Sequence, residues 1–279
     1  MFGVAVNYFG MKNYPLSVKE SAKFAISLLK NCPEVTTIIL VDGSATADDE
    51  LRNYCQSIDT NYLHEGRVLS FAEAYNLGIS KLTESWVVTM ASDIYVYPGT
   101  FTTFWKFIET HKDKAIGCLI PYLSRCDFPL QRAAAHSKKH SCYSPIMTLN
   151  LNVFPKDVYE KIGGISTTYT GNFNDIDLSV KLQKNGLNIF LVNNYVQHYG
   201  RLTLRYGTNV DGRADWKNFY ADYPDLKGNS ELWSLRLDKF LRNPLLKLVF
   251  RIAMKVKNEK LKHKLHKLVY AMIPVMQKV

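Results

Sequence analysis

Three short segments, far apart in the chain, carry the residue types for chemistry: Val41-Asp42-Gly43-Ser44, Ala91-Ser92-Asp93, and Asn174-Asp175-Ile176-Asp177-Leu178, with His198 downstream. Isolated carboxylates of this kind can accept hydrogen bonds from a ligand, share in holding a divalent cation, or take a proton from a hydroxyl. A single carboxylate does not hold magnesium or manganese alone. These hard ions complete their shells with water and substrate phosphate oxygens.

The segments are placed by the elements before them. Thr36 to Val41 is apolar, β-branched and too short for a helix, so it reads as a buried strand with Asp42 at its carboxyl end. In open α/β sheets ligands bind beyond the carboxyl ends of strands, where Asp42 would meet a base or ribose donor. The same Asp42 and Ser44 also fit as caps of a helix starting near Thr46. Trp86 to Met90 is a second strand leading into Ala91-Ser92-Asp93, and Val4 to Tyr8 a first strand. Gly171 to Leu182 reads as a helix start with two acids in its first turn. Asp177 there fits equally as an acid that holds the turn.

In order and spacing these pieces resemble the nucleotide-sugar site of the family 2 GT-A glycosyltransferases, over roughly the first 200 residues. The resemblance implies an α/β fold, a Rossmann-like mixed sheet flanked by helices, with the site at the strand ends. It implies that Asn7, Tyr8, Asp42, Arg67, Asn76, Ser92 and Asp93 bind the nucleotide sugar, and that Asp93 contacts a divalent metal bridging the donor phosphates. His198 stands where the family often places a metal-binding His, and imidazole favours manganese over magnesium. Asp175 matches the family's catalytic base; Asn174 and Asp177 would lie on the acceptor side or behind it. Ser70 to Ile79 resembles the family's helix under the nucleotide, and Asn152 to Gly164 the segment after the acceptor loop. The chain departs from the family pattern at four places: a residue is missing after Asp42, Ala91 replaces the first Asp of the metal motif, Asn174 replaces a Glu, and Lys181 an Arg.

At 279 residues, 47% hydrophobic and 22% charged, the chain can bury one sizeable core plus an appendage. No run is long and apolar enough to span a membrane, and Met1 leads straight into a strand without a signal peptide. Five cysteines without a paired framework fit reduced thiols and a cytoplasmic protein. His136, His140 and Cys142 lack a fourth nearby ligand, so segment 122 to 146 reads as a basic loop on the acceptor side rather than a zinc site.

Charge separates the chain into two parts. From Arg236 to Val279 there are 12 Lys or Arg against the acids Asp238 and Glu259, which equals the whole-chain excess of +10. Apolar residues recur there at helical spacing, from Leu245 to Val256 and from Leu261 to Met276. The expected organisation is a catalytic domain over 1–211 and a helical extension over 212–279, whose basic amphipathic tail meets an anionic membrane surface or forms a homodimer interface. Nucleic acid is not expected as a partner, because the tail has few stacking aromatics.

The expected activity is metal-dependent, inverting transfer of a sugar from a nucleoside diphosphate to a hydroxyl of a glycan or lipid-linked acceptor, in bacterial-type surface polysaccharide synthesis at the inner face of the membrane. The competing readings are a non-catalytic GT-A-like module that binds glycans or scaffolds a membrane complex, and a nucleotidyltransferase. The latter would want a Gly-rich basic first loop, and Tyr8 to Tyr14 contains no Arg.

Overall fold

The computed structural model describes residues 1–10, 16–126, 128, 131–133, 140–170, 173–200, 213–224 and six isolated positions between 248 and 265. The first half alternates strand and helix: β1 (Phe2–Tyr8), α1 (Leu16–Lys30), β2 (Val35–Asp42), α2 (Asp49–Ser57), β3 (Asn61–Leu63), α3 (Phe71–Ser80) and β4 (Trp86–Ala91). There follow β5 (Ile94–Tyr95), α4 (Thr100–Thr110), β6 (Ile116–Leu123), β7 (Cys142–Ser144), β8 (Leu151–Pro155), α5 (Lys156–Lys161), α6 (Asn174–Lys184), β9 (Asn188–His198) and α7 (Arg213–Asp222). The strands form one mixed sheet in the order β3-β2-β1-β4-β8-β6-β9-β5, with β7 beside β9. β2, β1, β3 and β4 are parallel, and β8 runs against both β4 and β6.

Strand alternation divides the core between the two faces of the sheet. Val4, Val6, Val88 and Met90 face α1, α2 and α4, whereas Ala5 and Val87 face α3, α5 and α6. Helix starts follow local capping chemistry. Ser70 and Glu73 form a reciprocal capping box at α3, and Asp48 caps α2 by accepting from the Leu51 amide. The helix expected near Thr46 therefore begins at Asp49, because Asp48 and not Asp42 or Ser44 supplies its cap. β9 runs on past Val192 to His198, because Tyr195 and Val196 pair with Tyr122 and Leu123 of β6. The supposed loop 122 to 146 contains the end of β6 and all of β7, with Cys142 buried opposite Leu191. His136 and most of the tail beyond Pro224, amphipathic stripes included, lie outside the described residues. Among the described residues no helix is long and apolar enough to cross a membrane, and all five cysteines are buried free thiols.

A small aromatic cluster joins α7 to α6. Phe219 and Tyr223 pack with Tyr169, Phe173 and Val180, and the Tyr223 hydroxyl donates to Asp177 Oδ1 at 2.6 Å. The first helix of the expected extension thus rests on the element that carries Asp175.

α3 lies close to the sheet at Gly78, where an added Cβ would stand 2.7 Å from Ala5 Cβ and 3.0 Å from Val41 Cγ2. Gly to Ala within a helix ordinarily gains up to about 1 kcal/mol of propensity. Here overpacking outweighs that gain. Gly78→Ala should lower stability by about 1–3 kcal/mol in urea unfolding, and a more stable variant would show that α3 does not sit this close.

Candidate active site

The register about β1 sets the site. Asn7 lies between Val41 on β2 and Ala91 on β4, and Tyr8 lies opposite Asp42, so three parallel strands end together. Ser92 and Asp93 follow at once from β4. On the far side β9 ends at His198, which pairs with Ile94 and so returns beside Asp93.

Asp42 is fully buried, and it survives there because its oxygens are saturated. Oδ1 accepts from the Ser44 amide and hydroxyl; Oδ2 accepts from the Asp48 amide at 3.1 Å and the Tyr62 hydroxyl at 2.5 Å. Ser44 Oγ in turn accepts from the Gly10 amide at 2.8 Å, which ties the loop after β1 to the loop after β2. His64 Nε2 meets the Ser44 carbonyl at 2.9 Å and must donate to it, while Nδ1 accepts from the Gly66 amide. Tyr8 donates to Asp48 at 3.3 Å, and Lys19 of α1 pairs with Asp48 at 2.9 Å. Burial and the nearby carboxylates push the Tyr8 and Tyr62 phenols well above their ordinary range, so both remain donors. Lys19, Asp48, Tyr62 and His64 were not anticipated. β3 has only three residues, too few to show a pattern, and Lys19 reaches Asp48 from a different helix.

The structure brings Asp93 and His198 together, with Nε2 3.5 Å from Asp93 Oδ2 and both side chains largely buried. His198 Nδ1 lies 2.8 Å from the Arg125 carbonyl, which can only accept. Nδ1 is therefore the protonated nitrogen, and in the neutral ring Nε2 presents its lone pair toward the carboxylate. Two electron-pair donors facing one another form a donor set that fits a divalent cation. Among the described residues no group of three or more His, Cys, Asp or Glu assembles, so the remaining ligands of such an ion would come from elsewhere.

Asp175 stands in the first turn of α6. Phe173 precedes this helix at φ 70°, a left-handed conformation costly for a bulky residue, held by burial of its ring 4.8 Å from Phe219. Asn174 anchors the adjoining loop, donating to the carbonyls of Ser166 and Tyr169. Asp177 is buried and engaged on both sides, by Tyr223 and by Lys181 at 3.0 Å. Asp175 differs. Its side chain is half-buried, Oδ1 accepts from the Ile176 amide, and the loss of surrounding water pushes its carboxyl up to about 6. Asn76 ties α3 to Ile165 and accepts from Tyr159, and Arg67 is an exposed side chain paired with Glu65 and Glu73.

The sequence pattern described as glycosyl transferase family 2 matches residues 20–168, more than half the chain. The chain belongs to glycosyl transferase family 2. Its fold is similar to a crystal structure of GalNAc-T7 with UDP, GalNAc and Mn2+, at TM-score 0.51 and 13% identity over 70% of this chain and 43% of that one. The likeness shows a GT-A fold, and the chain spans less than half the length of that protein. No curated protein matches. The family 2 match includes Asp42, Asn76 and Asp93 and stops before Asp175 and His198.

The raised carboxyl of Asp175 has a stability consequence with a definite sign. Its ordinary value is 3.8, so the folded state favours the protonated form, and this advantage is lost as pH rises through about 6. Asp175→Asn should therefore be more stable than wild type above pH 6, by at most about 3 kcal/mol, and indistinguishable near pH 3. Denaturation curves across this range check it; a variant less stable at pH 8 would overturn the burial argument.

Proposed function

We propose that this glycosyl transferase moves a sugar from a nucleoside diphosphate to an acceptor hydroxyl with inversion, and that Asp175 is its base. The observation that carries this is a carboxyl raised to about 6 by burial, with no basic partner among the described residues, on the first turn of α6. A base with its pKa close to neutral holds enough carboxylate at pH 7 and still takes a proton effectively. Its two neighbours, Asn174 and Asp177, are engaged in holding the turn, which leaves Asp175 for chemistry.

In the proposed reaction the acceptor oxygen bonds to the anomeric carbon while its proton passes to an Asp175 oxygen. The bond from that carbon to the diphosphate breaks, its electron pair leaving on the diphosphate oxygen. Positive charge develops on the sugar as the bonds exchange. Tyr8, Asn7, Ser92 and Asp93 at the joined strand ends would face the nucleotide diphosphate. Asp42 and Asn76 would shape its walls through the loops they fasten, and Arg67 would have to leave its glutamates to reach a phosphate. Asp93 and His198 would hold a divalent ion, with manganese favoured because imidazole is a ligand. Such an ion offsets negative charge on a departing diphosphate. The acceptor would be a glycan or lipid-linked glycan, in polysaccharide synthesis at the inner face of a membrane. The non-catalytic alternative draws on Ala91 and Asn174, where the usual acids are absent.

Asp175→Asn keeps size and hydrogen bonding but cannot take a proton. Turnover should fall roughly 10²-fold or more with donor affinity near wild type, and the acid limb of kcat near pH 6 should vanish. Equal turnover in the variant would remove Asp175 as base. Asp93→Ala should abolish manganese-dependent donor binding in calorimetry, with His198→Ala weakening it less. Undiminished manganese dependence in Asp93→Ala would end the metal assignment.

The basic tail is proposed to direct the enzyme to an anionic membrane, each Lys or Arg near the surface contributing on the order of 1 kcal/mol. Salt screens this attraction. The full-length protein should sediment with anionic liposomes at low salt and be partly released at high salt. Salt-independent sedimentation, or none, would point to a homodimer interface instead.

A further inference from the structure

One face of the β5 and β9 ribbon is unusual in presenting ordered aromatic rings to water. Ile94 pairs with His198 and Tyr95 with Gln197, and the Tyr199 amide donates to the Asp93 carbonyl at 3.0 Å, which extends the pairing by one step. Side chains alternate across a strand. Ile94, Val96, Val196 and His198 are accordingly buried, and the odd-numbered neighbours turn the other way. Tyr97 and Tyr195 stack there with ring centroids 5.9 Å apart and planes 22° from parallel. They remain 42% and 38% exposed, and Tyr199 is 46% exposed. The Tyr97 hydroxyl donates to Gln197 Oε1 at 2.9 Å, which fixes the pair in place.

We propose that this tyrosine face binds a pyranose ring of the acceptor glycan, extending the acceptor site along β9 away from His198. A pyranose has an apolar C–H face and a rim of hydroxyls. Tyrosine rings offer a flat apolar surface for the first, and phenols with the Gln197 amide offer donors and acceptors for the second. Rings already held in one arrangement lose little freedom on binding. The chemistry also argues against other occupants. The stacked pair and Gln197 carry no charge of their own, and the Arg125 guanidinium, which donates to the Tyr199 carbonyl at 3.1 Å, weighs against a cation on these rings; a purely apolar partner would strip water from three phenols without replacing it. The Tyr199–Asp93 backbone pairing joins the end of this ribbon to the segment that carries Asp93. This inference rests on the proposed glycosyl transfer for the identity of the ligand as acceptor.

The test uses the full-length protein without nucleotide sugar. Maltohexaose, cellohexaose and chitohexaose, with glucose and N-acetylglucosamine as single-ring controls, are titrated by calorimetry and by saturation-transfer NMR. At least one hexasaccharide should bind, more tightly than its single ring. Tyr97→Ala/Tyr195→Ala should weaken that binding tenfold or more, Gln197→Ala less, and Tyr195→Phe little. Manganese-dependent hydrolysis of UDP-glucose and UDP-N-acetylglucosamine should be equal in all variants. No saccharide bound by wild type, or equal affinity in the double Ala variant, would overturn the proposal. A concentration-dependent dimer that the double variant abolishes would overturn it too, making the face a contact between copies. Saccharide binding that depends on the tyrosines, with no turnover of any nucleotide sugar, would instead defeat the transferase reading and leave this surface a glycan site.

Discussion

Parallel pairing of β1 with both β2 and β4 is the constraint on which the rest of the structure depends. Backbone register places Asn7 between Val41 and Ala91, so the three strands stop at one level and their following loops open on one crevice. Parallel strands require helices as crossovers, which cover both faces of the sheet and leave the carboxyl ends as the place where polar groups can gather. The position of Asp93 follows from this register. The opposite wall does not. It is built by β9, which travels eleven residues to bring His198 back against Ile94.

Burial is used in two opposite ways among the carboxylates. Asp42 is satisfied by four donors from Ser44, Asp48 and Tyr62, and so acts as a joint that fixes the crevice. An unsatisfied charge there would cost far more than the bonds return, so the loop after β2 has little choice of conformation. Among the described residues Asp175 meets backbone amides and no cation, so its loss of water appears as a raised pKa rather than as rigidity. Asp177, two residues along the same helix, has Tyr223 and Lys181 and belongs with Asp42. A difference in partners, within one turn, separates the proposed base from a structural acid.

The positioning of α6 draws on an unexpected source. Phe173 holds a left-handed backbone that an isolated chain would avoid, and the cost is offset by packing against Phe219 of α7. Tyr169 donates to Asp222, and the Thr170 amide donates to Asp215, so the loop before α6 is held by the same helix. Residues beyond the strand-end motifs thereby support the proposed base, and the aromatic cluster couples them to it.

Strand ends and the acidic start of α6 were legible in the sequence because each depends on local chemistry, β-branched runs and acids beside free amides, whereas the Ser70 helix was read from its resemblance to the family and its capping box emerged with the structure. The family could be read from the same segments, since the donor-side motifs lie within single loops. What the sequence could not contain was partnership. Asp42, Asp175 and Asp177 look alike as letters, and only the tertiary structure gave one four donors, one a tyrosine and a lysine, and one backbone amides alone among the described residues. The meeting of Asp93 with His198, and the stacking of Tyr97 on Tyr195, join residues about a hundred positions apart through the β5 and β9 register. Local pattern is set by short-range sterics and hydrogen bonds, and so is written in neighbouring residues. Protonation, metal affinity and exposed surface depend on what long-range packing brings near, and that was decided by the fold.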